Sequence, residues 1–244
     1  MSTAFIYGRH AVLALLSAAP ERIQILFVST GSEKEFRPLA QKHNIRVEEM
    51  NRKLSQELEG AVHQGIVARV VTTGVVRDYA EFMNKLEPTA STALVLLNEI
   101  TDPHNVGAII RSAAAFGAAA VLLPAHNQAP ITGVVAKASA GTVFTIPIVG
   151  IGNENQAILD LKERRYWIYG LDTEGKNVLS KEKFDAPAVF VIGSEGEGLR
   201  QKTREHCDIL LRIPMHERAE SLNASVSAGV VLSAWSTQHS EALK

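Results

Sequence analysis

Five polar side chains in three separated segments carry the chemistry this sequence offers. Asn105 and Arg111 lie in "NEITDPHNVGAIIRSAAAFG" (98–117), Glu195 in "GSEGEG" (193–198), and Ser221 and Asn223 in "IPMHERAESLNASVSAGVVLSAW" (213–235). A glycine-rich turn after the apolar run "AVFVI" invites comparison with a phosphate cradle. Here it holds two glutamates, Glu195 and Glu197. Carboxylates repel a pyrophosphate, which backbone N–H groups at a helix start otherwise attract. The turn therefore suits a ligand without phosphates, or one with positive charge. A solvated acidic turn ahead of a helix is the competing reading, since carboxylates favour the N-terminal end of the dipole.

Arg111 sits among Ala and Ile. A guanidinium there is costly unless it has a partner or reaches a cleft, and Glu195 is the candidate partner. Snorkelling to solvent is the alternative. Ser221 reads as a helix N-cap. That role leaves Asn223, inside the first turn, unexplained. Gly107, between Asn105 and Arg111, permits a close approach by another backbone.

Other chemistries are excluded by what the sequence lacks. The eight histidines have no metal-ligand spacing, and neither a G-x-S-x-G nor a P-loop occurs. Cys207 is the single cysteine, which rules out an internal disulfide and a cysteine-based zinc site; it reads as a small buried hydrophobe. Gly193, Gly196 and Gly198 fall close to a dinucleotide fingerprint, but a lone G-x-G-x-x-G is weak, and no fingerprint follows the first strand of either half.

These loops need a scaffold. From residue 92 onward, apolar runs alternate with helical patterns. Strands are expected at 92–100, 119–124, 142–149, 166–172, 188–193 and 208–214, with helices at about 106–116, 153–165, 198–206 and 222–240. "TALVLLNEI" is continuously apolar, as a strand buried on both faces requires. The alternation predicts a mostly parallel α/β sheet, and the three polar loops then fall at its carboxyl edge, where ligands collect in such folds. Ahead of it, helices at 8–19 and 33–44 and strands at 23–29, 45–50 and 64–71 describe a small N-terminal α/β domain, residues 1–73. Residues 74–91 read as a linker with a short helix over "DYAEFMNKL", and 92–244 as the larger domain.

Taken together, "TDPHNVGAIIRSA", "VIGSEGEGL" and "IPMHERAESLN" resemble, in order, the three motifs of the SpoU class of RNA ribose methyltransferases. "IYGRHAVLALL" and "GAVHQGIVARV" resemble the two ends of that family's RNA-substrate-binding domain, so the likeness covers nearly the whole chain. It is nearest to the bacterial subgroup that methylates a guanosine 2′-hydroxyl in 23S ribosomal RNA. The resemblance implies a parallel-sheet catalytic domain with a C-terminal trefoil knot, S-adenosylmethionine as cofactor, and a homodimer with the active site near the interface. It implies that Gly193, Ile213 and Leu222 contact the cofactor, largely through backbone. Asn105, Arg111, Glu195, Ser221 and Asn223 become the catalytic set, with Arg111 at the reacting hydroxyl and Glu195 holding Asn105 or Arg111. One departure stands in the third motif: Glu217, within "HERAE", occupies a position where the family often has glycine.

Bulk properties agree with a soluble globular chain. Its 244 residues are 46% hydrophobic and 21% charged, with a formal net charge of −1. RNA must therefore be held by local charge. Residues 1–74 carry nine Lys/Arg against seven Asp/Glu. Arg9, His10 and His63 in the front motifs, and Arg200 beside the glycine turn, are the candidate RNA contacts. A start without a basic then apolar region, and apolar runs too short to span a bilayer, lead us to expect a cytoplasmic protein without a membrane partner. Two other functions remain open. One is the same reaction on transfer RNA, which the separate front domain disfavours. The other is a ribosome-assembly factor that binds RNA without methylating it, which has no need for the full polar set.

Overall fold

The computed structural model describes residues 3–58, 60–194, 196 and 198–244. Two sheets organise the chain. The first is built from β1 (Thr3–Tyr7), α1 (Arg9–Ala18), β2 (Ile23–Val28), α2 (Glu33–Lys42), β3 (Arg46–Glu49), α3 (Arg52–Glu57) and β4 (Ile66–Val71). Its strands run in the order β1-β4-β2-β3. β4 is antiparallel to both β1 and β2, while β3 is parallel to β2.

The second sheet collects β5 (Val76–Asp78), which leads into α4 (Tyr79–Lys85), then β6 (Ala93–Leu97), α5 (Pro103–Ala115), β7 (Ala120–Pro124), α6 (Gly133–Ala138), β8 (Ile148–Ile151), α7 (Glu154–Glu163), β9 (Trp167–Leu171), β10 (Asn177–Val178), β11 (Ala188–Ile192), α8 (Gln201–His206), β12 (Ile209–Arg212) and α9 (Ala224–Ser236). The order is β10-β12-β9-β11-β6-β7-β8-β5, and every pairing is parallel. The alternation of strands and helices thus produced the sheet that crossovers require.

The strands confirm burial on two faces. Along β6, Ala93, Val95 and Leu97 enter one core and Leu94 and Leu96 the other. This is the period-two alternation of a strand covered by helices above and below. Tyr169, Phe184 and Phe190 cluster on the first of these faces, with ring centroids 5.2–5.6 Å apart. That core continues through α1, β2 and β4 into the first sheet, and α6 packs along β1.

Several expectations need correction. Residues 74–91 are not a plain linker: β5 adds an edge strand beside β8, and Asp78 caps α4 by accepting from Glu81 N at 2.8 Å. The strand expected at 142–149 splits into a 3₁₀ turn at Thr142–Phe144 and β8. Its β-branched residues raised strand propensity, but Gly141 takes a left-handed φ of 85° and tertiary packing decided the rest. β1, α3, α6 and the two-residue β10 had no sequence forecast. No helix among the described residues is long and apolar enough to cross a membrane.

Candidate active site

The carboxyl ends of β9, β11 and β12 open onto a cleft of about 310 Å³. Its walls come from the loops that follow those strands. Gly193 and Leu199 belong to the loop after β11, Ile213 and Met215 to the loop after β12, and Ser221 and Leu222 to the approach to α9. Gly193, Ile213, Leu222 and Ser221 therefore meet around one cavity, although they are spread over 30 positions of sequence.

The turn after β11 is closed by reciprocal backbone hydrogen bonds between Ser194 and Gly198, both 3.1 Å. At Gly193 a side chain has no room: a Cβ would lie 2.4 Å from the carbonyl carbon of Gly198. The cleft therefore has a backbone wall there. Glu195 and Glu197 lie outside the described residues.

Sequence reasoning missed the opposite wall. Asp172, Thr173 and Glu174 leave the end of β9, and Arg204 of α8 is tied to both carboxylates, to Asp172 at 3.1 Å and to Glu174 at 3.2 Å. The available signal was position, since acidic residues at the end of the strand expected at 166–172 and just beyond it lie at the carboxyl edge of the sheet. Two carboxylates against one engaged guanidinium leave this wall with an excess of negative charge.

The first and third polar segments are joined by a hydrogen bond. Asn223 Nδ2 donates to Asn105 Oδ1 at 2.9 Å. Asn223, and not Ser221, is the N-cap of α9: its Oδ1 accepts from Ser225 N at 2.8 Å and Val226 N at 3.3 Å. The cap fixes the amide orientation, because the oxygen must face the helix N–H groups and the nitrogen is left for Asn105. Asn105 is 8% exposed near the start of α5, whose own cap is Asp102 accepting from His104 N at 2.9 Å. Gly107 fulfils its expected role: a Cβ there would stand 2.4 Å from that of Ala138, so it lets α6 press against α5.

Arg111 stands apart. It is exposed on α5, does not line the cleft, and has no hydrogen-bond or ion-pair partner among the described residues. The expected RNA cations are engaged differently. Arg9 pairs with Glu35 and Arg200 with Glu99. His63 Nδ1 accepts from Gly65 N at 3.1 Å, and Arg9 N donates to Gln64 at 2.9 Å, so the two front motifs meet; His10 is exposed.

Beneath the cleft loops lies a second unforeseen group. Asn98, 1% exposed at the end of β6, donates to both carboxylate oxygens of Glu154 at 2.9 and 2.8 Å and accepts from Arg200 N at 3.3 Å. Thr203 Oγ1 also donates to Glu154, at 2.9 Å. Burial pushes the Glu154 carboxyl above its ordinary range, against the opposing pull of these hydrogen bonds. Glu99, next to Asn98, holds a left-handed φ of 57°, a conformation non-glycine residues adopt only under surrounding constraint. Burial pushes the Cys207 thiol up to about 12, which disfavours the reactive thiolate.

Among the described residues no group of His, Cys, Asp and Glu is arranged for a metal ion. The residues do fit S-adenosylmethionine. A backbone wall at Gly193 accepts a flat adenosine face, and the acidic wall at 172–174 suits a cation where a phosphate would be repelled.

Comparison with known proteins gives the same class. Residues 92–233 match the model of the SpoU rRNA methylase family, and residues 5–72 match that of the RNA 2′-O ribose methyltransferase substrate-binding domain. The chain belongs to the SpoU rRNA methylase family. Among its relatives is the 23S rRNA (guanosine-2′-O-)-methyltransferase RlmB of Haemophilus influenzae, 39% identical over 93% of this chain and 94% of the relative. The Escherichia coli (strain K12) protein of the same name is 39% identical over 93% and 95%. In structure, the chain is similar to the SpoU methyltransferase AviRb from Streptomyces viridochromogenes in complex with AdoMet, with a TM-score of 0.81, 25% identity, and coverage of 96% of this chain and 89% of that one.

Proposed function

We propose that this protein transfers a methyl group from S-adenosylmethionine to the 2′-hydroxyl of a guanosine in 23S ribosomal RNA. The observation that carries the reading is the meeting of Gly193, Ile213, Ser221 and Leu222 around one cleft at the carboxyl edge of a parallel sheet, in a chain 39% identical to RlmB proteins over nearly its full length. Residues 1–73 are the substrate-binding part. Residues 92–244, with β5 and α4 added, are the catalytic part. The substrate implies a cytoplasmic site of action.

Gly193, Ile213 and Leu222 would hold the cofactor, which when bound supplies an electrophilic methyl on a sulfonium. The protein's own task is then to hold a ribose hydroxyl in line, and positioning supplies much of the acceleration. In this reading Ser221 faces the hydroxyl from the cleft wall. Asn223 fixes Asn105 by the bond between them, and Glu195 organises the same group. Arg111 lies outside the cleft of its own chain, so in this reading it stabilises the developing alkoxide from across the homodimer interface; a guanidinium keeps its proton and is suited to that role.

The reading includes a trefoil crossing and a homodimer. The first is supported by β12, which enters between β9 and β10, strands laid down before it and joined by the short connection 172–176. The second is supported by Val226 and Val230, exposed one turn apart on α9. The experiment is transfer of tritium from labelled S-adenosylmethionine to unmodified 23S RNA and, separately, to bulk transfer RNA. Label in 23S RNA supports the proposal. Label in transfer RNA alone keeps the chemistry and overturns the substrate.

A further inference from the structure

The outer face of the first sheet carries a groove of about 320 Å³, within the roughly 300–1,000 Å³ of ordinary small-ligand sites. Its floor is apolar. Phe5 of β1 and Phe27 of β2 meet edge to face with centroids 6.3 Å apart, and Ile25 lies beside them. Phe5 is half-buried, whereas Phe27 is 6% exposed. The groove lies on the far side of the sheet from the main core, which takes Ile6 and Ala4 from β1 instead.

Its rim is cationic. Arg46, Lys53 and Arg69 stand around it against one carboxylate, Glu48, which is already paired with Arg46 at 2.6 Å. Arg69 Nε is buried and has no hydrogen-bond partner among the described residues. Arg69 also forms no ion pair among the described residues, so its guanidinium charge is not cancelled and an anion at the rim gains that attraction. Lys53, exposed on the rim, also has no partner among the described residues. The contrast with Arg9 and Arg200, both neutralised by glutamates, is direct.

We infer that this groove binds one unpaired nucleotide of the RNA substrate, with its base against Phe5 and its phosphate between Arg69 and Lys53. The inference rests on the RNA methyltransferase reading above and names the surface that grips the RNA away from the reacting ribose. An aromatic floor and an unsatisfied cation together are the two contacts a single-stranded nucleotide offers, a π face and a phosphate. A duplex presents phosphates but keeps its bases stacked inside, so it can use only half of the groove.

The test uses the full-length protein, a short single-stranded oligoribonucleotide and a blunt duplex of the same sequence, over a range of salt. Arg69→Gln, Lys53→Gln and Phe5→Leu are each expected to weaken single-strand binding by roughly fivefold or more. Each cation variant should also make the negative slope of log K against log salt shallower by about 0.7, and Phe5→Leu should leave it unchanged. S-adenosylmethionine affinity serves as the check of folding, and exposed Lys53 carries the test by itself if Arg69→Gln does not fold. Unchanged affinity and slope in Lys53→Gln, or equal binding of strand and duplex, would overturn the inference. Methyl transfer by the unaltered protein separates the two claims. If it methylates 23S RNA while the variants bind normally, the groove fails and the function stands. If the variants lose binding while the unaltered protein transfers no methyl group, the groove stands and the enzymatic reading fails.

Discussion

At the scale of single residues, Asn223 shows how one side chain serves two structures. Its oxygen caps α9 and its nitrogen reaches Asn105. Asn223→Asp keeps the cap acceptor but cannot donate across to Asn105. We predict that it leaves thermal stability within about 1 kcal/mol, the size of a whole cap, and lowers kcat sharply. Asn223→Ala should lose both, as separate measurements of Tm and kcat will show. Arg111→Ala is expected to reduce methyl transfer by about 10²–10³-fold, as loss of a charge-stabilising donor does, with S-adenosylmethionine affinity retained. Equal losses of affinity and rate in a titration would place Arg111 at the cofactor instead. Gly193→Ala should do the reverse and abolish cofactor binding, because its Cβ would press on the backbone at Gly198. Residue type and motif singled out Asn105, Ser221 and Asn223 in the sequence, and the structure joins Asn105 to Asn223 and places Ser221 on the cleft wall. Sequence reasoning misassigned the cap, because Ser and Asn are equally good caps two positions apart and only the tertiary bond to Asn105 selects between them.

At the scale of elements, the Asn98–Glu154–Thr203 group ties the end of β6 to α7 and α8, and through Arg200 N to the segment after the glycine turn. Glu154→Gln replaces one acceptor oxygen by a donor facing the Asn98 amide. We expect a raised KM for S-adenosylmethionine with a smaller change in kcat, measured by initial rates at saturating RNA. The pH behaviour follows from the same carboxyl. Its folded pKa lies above the unfolded one, so its contribution to stability falls as pH rises through the interval between them and is flat above. Differencing Tm against pH between the unaltered protein and Glu154→Gln isolates that slope. None of this was visible in sequence, where Asn98 and Glu154 stand 56 positions apart and only the fold makes them partners. The strands were more legible. β6 and β11 are buried at all five positions each, and a run of such residues has few other destinations. β5 and β10 were not, being three and two residues long and held by pairing with β8 and β12 rather than by pattern.

At the scale of the whole molecule, two sheets divide the work. The larger one presents the cleft, and the smaller one, with its cationic groove, is proposed to hold RNA. The chain's formal net charge of −1 leaves no general attraction to a polyanion, so binding depends on where the cations sit. The homodimer in our proposal predicts that sedimentation equilibrium returns twice the 26.4 kDa chain mass, and that Val230→Asp shifts it toward the monomer. The central claim is the identity of the methylated atom. The most direct measurement is mass spectrometry of nucleosides and alkali-resistant dinucleotides from unmodified 23S RNA after reaction with the protein and S-adenosylmethionine. The account predicts 2′-O-methylguanosine in one alkali-resistant dinucleotide. A methyl group on a base, with the neighbouring linkage still cleaved by alkali, would contradict it.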